Sequence, residues 1–336
     1  MNKEWTVLLP EPIEEEAKQL LEEGGLRVIQ SPDKNPATVA PLMEEADAVV
    51  LRTGIKMTAE LLAKGKKLKM VSRTGAGFDN VDIEAATARG VIVSSSLGAN
   101  TTTVAEHALA LILALYKHLP TLDSETKKGN FKIRYAYLPR DMREKTLGVI
   151  GCGRIGQTIA KACHDSFGMK IIAYDEFLPD AVQKSLASWI EFTSLDDLCA
   201  RSDVITMHVP LTEGTRGLIN TARLALMKKD VVIVNTSRGG VIDEAALAAA
   251  LKEGKLGGAG LDVFEDEPPK AGHPLFSCEN AILTPHAAAL TQECVVRMAV
   301  LGSQRVIDLA QGFNPGNVAN PEVLKQKRWE YLKSKA

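Results

Sequence analysis

Cysteine is scarce in this chain and follows no ligating or cross-linking pattern. Five thiols occur among 336 residues, Cys152, Cys163, Cys199, Cys278 and Cys294, an odd number with no CxxC spacing. That pattern argues against a disulfide framework, gives no metal site, and suits free thiols in a reducing compartment. Bulk charge is lacking too. With 40 Lys and Arg against 42 Asp and Glu, the net charge is −2, so no nucleic acid and no anionic membrane is expected as a partner, while a local basic cleft for a small anion stays open. No apolar run reaches the ~20 residues of a bilayer span. The opening Met1-Asn-Lys-Glu-Trp lacks the charged leader and apolar stretch of a secretion signal, so a cytoplasmic location is expected. What is abundant is core material: 45% of the residues are hydrophobic, enough at this length for two packed domains.

The segment Leu147-Gly-Val-Ile-Gly151-Cys-Gly153-Arg154-Ile155-Gly156 is followed by a helix-like run, the apolar stretch Lys170-Ile-Ile-Ala-Tyr, and then Asp175. That order is strand, glycine turn, helix, strand, acid. Gly151 permits a tight turn, Gly153 lets backbone approach a pyrophosphate, and Gly156 lets the helix pack closely on the strand. The helix N-terminus offers its unpaired N–H groups to the phosphates. Asp175 is placed to hold the adenosine ribose hydroxyls, and with Glu176 beside it would repel a 2′-phosphate. The expected cofactor is therefore NAD rather than NADP.

Strand-like runs at Thr6-Val-Leu-Leu, Leu26-Arg-Val-Ile, Ala48-Val-Val-Leu, Lys69-Met-Val-Ser and Val91-Ile-Val-Ser alternate with helix-like segments and predict a small parallel-sheet domain. Residues 102–117 form an apolar stretch without Gly or Pro, read as one buried helix that is too short in its apolar part to span a membrane. Residues 119–146 are polar and basic with little periodic signal, and are expected to be an arm or loop. A second strand series follows at Val204, Val231, Gly258 and Ala281 and, with the glycine-turn unit, predicts about six strands. The last amphipathic helix, residues 291–309, is expected to return to the first domain. The predicted fold is α/β with two Rossmann-like, doubly wound parallel sheets: a flavodoxin-like substrate domain of residues 1–100 and 290–336, and an NAD-binding domain of residues 101–289.

Three charged residues fall just after strands of the second series: Arg238 in Asn235-Thr-Ser-Arg-Gly-Gly, Glu267 after Leu261-Asp-Val-Phe, and His286 in Leu283-Thr-Pro-His. Open parallel sheets place their sites at such strand ends. Reduction of a 2-oxo acid needs a proton donor for the carbonyl oxygen, and an imidazole titrates in the right range. His286 fits that role. Glu267 would favour the imidazolium and orient the ring, and Arg238 could grip the substrate carboxylate with two prongs.

With these motifs assembled, the chain resembles the D-isomer-specific 2-hydroxyacid dehydrogenase family over most of its length. The resemblance rests on residues 73–82 (RTGAGFDNVD), 100–107 (NTTTVAEH), the GCGRIG turn, 208–212 (HVPLT), 235–240 (NTSRGG), 260–264 (GLDVF) with Glu267-Pro268, and 284–286 (TPH). It implies that Arg238, Glu267 and His286 are the catalytic trio, and that Gly75, Ala76 and Gly77 present backbone N–H groups to the substrate carboxylate. It implies that Val104 packs on the nicotinamide, that Asp262 and the turn from Thr236 to Arg238 hold its carboxamide side, that Arg154 and Ile155 meet the pyrophosphate, and that His208 and Pro210 line the adenosine. It also implies a homodimer built partly through the long helix and the arm that follows it, and a structural rather than catalytic His107.

The departures from the family pattern matter as well. The arm reads Gly129-Asn-Phe-Lys-Ile-Arg-Tyr without the family's tryptophan, and the end of the chain soon after the last helix leads us to expect no regulatory domain. Glu267 argues against the formate dehydrogenase branch, which carries Gln there. Arg52, Lys132 and Arg134 are candidate anion contacts for the substrate, with solvated surface charge the preferred reading for each of the last two. The expected activity is reversible hydride transfer between NADH and a small 2-oxo acid of the hydroxypyruvate/glycerate or 3-phosphoglycerate type. The alternative is an NAD(H)-sensing, corepressor-like binding protein on the same scaffold.

Overall fold

The computed structural model describes residues 5–334. Residues 1–4, which carry most of the leader expectation, fall outside them. The chain divides into two compact units, Met1–Asn100 with Leu290–Ala336, and Thr101–Ala289.

The first unit holds strands β1 (Thr6–Leu9), β2 (Arg27–Gln30), β3 (Ala48–Leu51), β4 (Met70–Arg73) and β5 (Ile92–Ser95). They pair in parallel in the order β2-β1-β3-β4-β5, the flavodoxin-like arrangement. β1, β3 and β5 are buried along their whole length, as strands covered on both faces must be. One face is covered by Met43, Leu61 and Leu62, the other by Leu21 together with Val306 and Leu309 of the C-terminal helix Gln292–Ala310. Serines on the sheet anchor that helix: Ser72 Oγ donates to Gly302 O at 2.7 Å and Ser96 Oγ to Met298 O at 2.6 Å.

The second unit contains β6 (Thr146–Ile150), β7 (Lys170–Tyr174), β8 (Ile190–Phe192), β9 (Val204–Met207), β10 (Val232–Asn235), β11 (Gly258–Leu261) and β12 (Ala281–Leu283). Their order is β12-β11-β10-β9-β6-β7-β8, all parallel. Strand order reverses between β6 and β9, and such a switch point opens a crevice at the carboxyl ends of the strands. Helix Thr101–Tyr116 and helix Arg154–Phe167 bury Ile112, Leu115, Ile159 and Cys163 on one face. Leu198, Leu247 and Leu251 cover the other. Both sheets are thus doubly wound, as the sequence led us to expect.

Two expectations need correction. The second sheet has seven strands where about six were expected; the additional one is β8, three residues in which exposed Glu191 separates Ile190 and Phe192, so it shows neither an apolar run nor a period. Residues 119–146 are not simply a loop: they include helices Leu119–Lys127 and Ile133–Ala136, neither of which buries a residue. A helix with no buried face leaves no apolar stripe to read. Its local support is Pro120 in the first turn and the ion pairs Asp123–Lys127 and Glu125–Lys128, each 2.7 Å. Among the described residues, no helix is long and apolar enough to cross a membrane.

Candidate active site

β6 runs into the glycine turn at the switch point. Gly151 has φ +88°, and a Cβ there would lie 2.7 Å from the carbonyl oxygen of His208. At Gly156 a Cβ would lie 2.1 Å from Gly151 O, so neither position accepts a side chain. Gly153 has open space around it and caps helix Arg154–Phe167 without a side-chain hydrogen bond. The first-turn amides, including those of Arg154 and Ile155, are thereby left to an anion. Asp175 stands at the end of β7, one oxygen accepting Cys152 N at 2.8 Å and the other Phe177 N at 3.0 Å. Each oxygen keeps a second lone pair, the chemistry a ribose diol needs.

Two buried polar atoms in this unit have no protein partner, Thr236 Oγ1 and His208 Nδ1. Buried polar atoms are rarely left so unless something else satisfies them. Together with the bare Gly153 turn they fit a bound dinucleotide. His208 Nε2 sits 3.0 Å from Thr206 Oγ1, and burial pushes the imidazole down to about 3, so it stays neutral at any working pH. Val104 is buried in helix Thr101–Tyr116, and Pro210 is exposed beyond β9. Burial, then the charge of Asp175, pushes the Cys152 thiol up to about 11, which makes it an inert small side chain.

Arg238, Glu267 and His286 follow β10, β11 and β12, which are neighbours in the sheet. The turn before Arg238 is shaped by Asn235, whose Oδ1 accepts Ser237 N and Oγ at 2.9 and 2.7 Å and whose Nδ2 donates to Arg238 O at 2.8 Å. His286 Nδ1 lies 2.7 Å from Glu267 Oε2, with the two side chains 50% and 37% exposed. Glu267 Oε1 accepts Phe264 N at 3.1 Å. Burial works against the Glu267 carboxylate. The hydrogen bond and charge of His286, the Phe264 amide and the charge of Arg238 outweigh it and hold Glu267 below the usual carboxylate range. Oriented through Nδ1, the ring of His286 presents Nε2 for proton exchange.

His286 has a left-handed backbone, φ +53°, a conformation that persists only where surroundings impose it. Asp262 imposes it. Its backbone oxygen accepts His286 N at 2.7 Å, and its fully buried carboxylate accepts Ala287 N and Ala288 N at 2.8 Å each and Thr284 Oγ1 at 2.5 Å. His107 Nε2 lies 3.0 Å from the same Thr284 hydroxyl. Neither the Asp262 clamp nor its link to His107 is legible in the sequence; the only signal is an acid at a strand end, where burial requires donors but does not say which.

The remaining candidates lie elsewhere. Gly75, Ala76 and Gly77 follow β4 in the first unit, in a loop pinned by Arg73 Nε on Asn80 Oδ1 at 3.0 Å and Arg73 Nη1 on Thr74 O at 2.8 Å. The Gly75 N–H is engaged by Arg73 O at 3.0 Å. Arg52, after β3, pairs with Glu14 at 2.8 Å. Lys132 and Arg134 are in the arm, where the Arg134 guanidinium stacks on Phe131 and Tyr135 at 4.8 and 4.7 Å.

Residues 109–288 match the family model described as D-isomer specific 2-hydroxyacid dehydrogenase, NAD binding domain. A D-3-phosphoglycerate dehydrogenase of Methanocaldococcus jannaschii is 40% identical over 328 residues, which are 97% of this chain and 62% of that protein. The chain therefore spans only about six tenths of the length of that relative, and the same holds for the one from Archaeoglobus fulgidus, at 61%. A hydroxypyruvate reductase of Thermotoga maritima is 40% identical over 298 residues, covering 88% of this chain and 95% of that one. Among solved structures, a D-lactate dehydrogenase from Aquifex aeolicus complexed with NAD and lactic acid superposes with a TM-score of 0.80 at 32% identity, over 95% of this chain and 97% of that one. With the glycine turn, the strand order and the imidazole–carboxylate pair in place, these likenesses establish that the chain belongs to the D-isomer-specific 2-hydroxyacid dehydrogenase family.

Proposed function

We propose that this protein is an NAD-dependent D-2-hydroxyacid dehydrogenase that interconverts a small 2-oxo acid and its 2-hydroxy acid, of the hydroxypyruvate/glycerate or 3-phosphoglycerate type. The observation that carries the reading is the 2.7 Å contact of His286 with Glu267 on a sheet edge that also bears Arg238. When bound, NADH supplies the hydride for the carbonyl carbon. His286 delivers its Nε2 proton to the carbonyl oxygen as charge develops there, and recovers it in the reverse direction. Glu267 keeps the ring oriented and stabilises its charged form. Arg238 grips the substrate carboxylate and polarises the carbonyl.

For the cofactor, Gly151, Gly153, Gly156, Arg154 and Ile155 hold the pyrophosphate, Asp175 the ribose, His208 and Pro210 the adenosine side, and Val104, Thr236 and Asp262 the nicotinamide side. Asp262 acts there through its hold on residues 284–288, since its buried carboxylate accepts three hydrogen bonds and its backbone N–H and carbonyl are engaged by Asn235 and His286. For the substrate, the amides of Ala76 and Gly77 receive the carboxylate, and Gly75 joins them once its bond to Arg73 O is released. Arg52 reads the distal group at the expense of its pair with Glu14. The five buried free thiols suit a reducing, cytoplasmic setting.

A homodimer is part of the reading, because Phe131, Tyr135 and Leu138 leave 64%, 73% and 71% of their surface exposed along one arm, and clustered exposed apolar groups mark an interface. The relatives named above are dehydrogenases and a reductase, which does not favour the corepressor-like alternative. Following NADH oxidation with hydroxypyruvate, glyoxylate, pyruvate and 3-phosphohydroxypyruvate tests the activity; no turnover with any of them sinks it. Light scattering of the purified chain tests the dimer, and a monomer at micromolar concentration rejects it.

A further inference from the structure

A glutamate is seldom buried unless both its oxygens find partners. Glu244 is the first residue of helix Glu244–Lys252, where a carboxylate ordinarily faces water, yet it is only 8% exposed. It is not needed as a cap, for Asp243 already accepts Ala246 N at 2.9 Å. Its Oε2 lies 2.9 Å from His273 Nε2, and its Oε1 accepts the backbone N–H of Glu265 at 2.7 Å. His273 is held between Phe264 and Phe276, with ring centroids 5.7 and 5.4 Å away, and its Nδ1 faces the Leu275 amide at 3.4 Å. That contact leaves the ring proton on Nε2, directed at Glu244. A second imidazole–carboxylate pair thus sits in the same unit as His286 and Glu267, and one of its oxygens ends two residues from Glu267.

The peptide it holds is pinned from another direction as well. A Cβ on Gly239, the residue after Arg238, would lie 1.9 Å from Phe264 C and O and 2.4 Å from Glu265 N, so the backbone of the Arg238 turn rests directly on the Phe264–Glu265 peptide. Phe264 N in turn donates to Glu267 Oε1 at 3.1 Å. We propose that Glu244 and His273 are a positioning pair: they fix the Phe264–Glu265 peptide against the Arg238 turn, and through it set Glu267 against His286. The inference rests on the dehydrogenase reading. Active-site groups must be held to within about 0.5 Å, and a misplacement of about 1 Å can cost roughly 100-fold in rate.

The test uses the full chain and whichever 2-oxo acid the wild type reduces, measuring kcat, KM, NADH affinity, thermal midpoint and the pH profile. Besides His286, the charged groups facing Glu267 and its loop are Arg238, Arg216 at 3.7 Å from Glu265, and Lys270 at 3.7 Å from Asp266. Glu244→Leu and His273→Leu should lower kcat roughly 10- to 100-fold, leave NADH affinity unchanged, and displace the high-pH limb of reduction to lower pH, as is expected when the Glu267 carboxylate no longer meets His286. His273→Gln, which still reaches Glu244, should restore most of the rate. If the leucine variants do not fold, His273→Asn decides, since its shorter amide cannot span to Glu244; roughly a 10-fold loss is expected. Folded variants with wild-type kcat and a superimposable pH profile overturn the proposal, even if their thermal midpoints fall. A wild type that reduces no 2-oxo acid overturns instead the dehydrogenase reading beneath it.

Discussion

Replacing His286 with alanine separates the chemistry from the scaffold. The imidazole is half exposed and its contact with Glu267 is reached by solvent, so the pair contributes little to stability, of the order of 1 kcal/mol or less. The backbone at φ +53° is strained for either residue, and it is clamped by Asp262 through main-chain atoms that the substitution leaves in place. The thermal midpoint should therefore move by no more than a few °C. The rate should fall far more. His208, pushed down to about 3 by burial, cannot deliver a proton at neutral pH, and His107 faces Thr284 rather than Glu267. Water is then the remaining donor, and losing a positioned acid costs roughly two to four orders of magnitude in kcat, about 3 to 5 kcal/mol of barrier. Steady-state NADH oxidation gives kcat, and quenching of intrinsic fluorescence gives NADH affinity, which should be unchanged. Wild-type turnover by a folded His286→Ala protein would show that the proton donor has been misassigned.

Further outcomes follow from the same geometry. Glu267→Gln removes the charge beside the imidazole, so the high-pH limb of reduction should shift to lower pH with a smaller loss in acid; an unmoved limb rejects the pairing. Because Glu267 is held below the usual carboxylate range, its charge adds stability that is complete above that range and is lost as pH falls through its depressed value. The gap in thermal midpoint between wild type and Glu267→Gln should accordingly be widest near neutrality and close in acid. Asp175→Ala should narrow the preference for NADH over NADPH in kcat/KM, and a wild type indifferent to the two cofactors contradicts the role given to that carboxylate. Arg238→Lys keeps the charge but not the fork, so KM for the oxo acid should rise while NADH affinity holds; the reverse pattern would move Arg238 to the cofactor.

What the sequence made legible was whatever repeats with a period or obeys a steric rule. Strands such as β3, β9 and β10 stand out because their largely apolar runs are buried along their whole length, and the glycine turn because a Cβ at Gly151 or Gly156 meets backbone at 2.7 and 2.1 Å. β8 and the arm helices stayed hidden for the opposite reason. β8 is three residues long with exposed Glu191 between its two apolar residues, and the arm helices bury nothing, so neither carries an apolar run or period that can be read. Arg238, Glu267 and His286 could be grouped before any coordinates because each follows a strand, and parallel neighbours bring their C-terminal ends to one edge. Their partners could not, since a hydrogen bond between residues far apart in the chain leaves no mark on spacing.

Asp262 illustrates why that second layer matters. Three donors from residues 284, 287 and 288 converge on its carboxylate, while its own carbonyl takes the amide of residue 286. A buried carboxylate without those donors would be costly, so the acid and the loop specify each other. The turn they form forces His286 into a left-handed conformation that few residues adopt, and in that conformation Nδ1 reaches Glu267 at 2.7 Å. The same logic runs through Glu244, whose burial is offset by His273 and by the amide that leads into Glu267. His286, the proposed proton donor, and Glu267, which orients it, are each located by a buried carboxylate behind them. Burial makes those two acids intolerant of displacement, and that intolerance is what fixes the exposed pair at hydrogen-bonding distance.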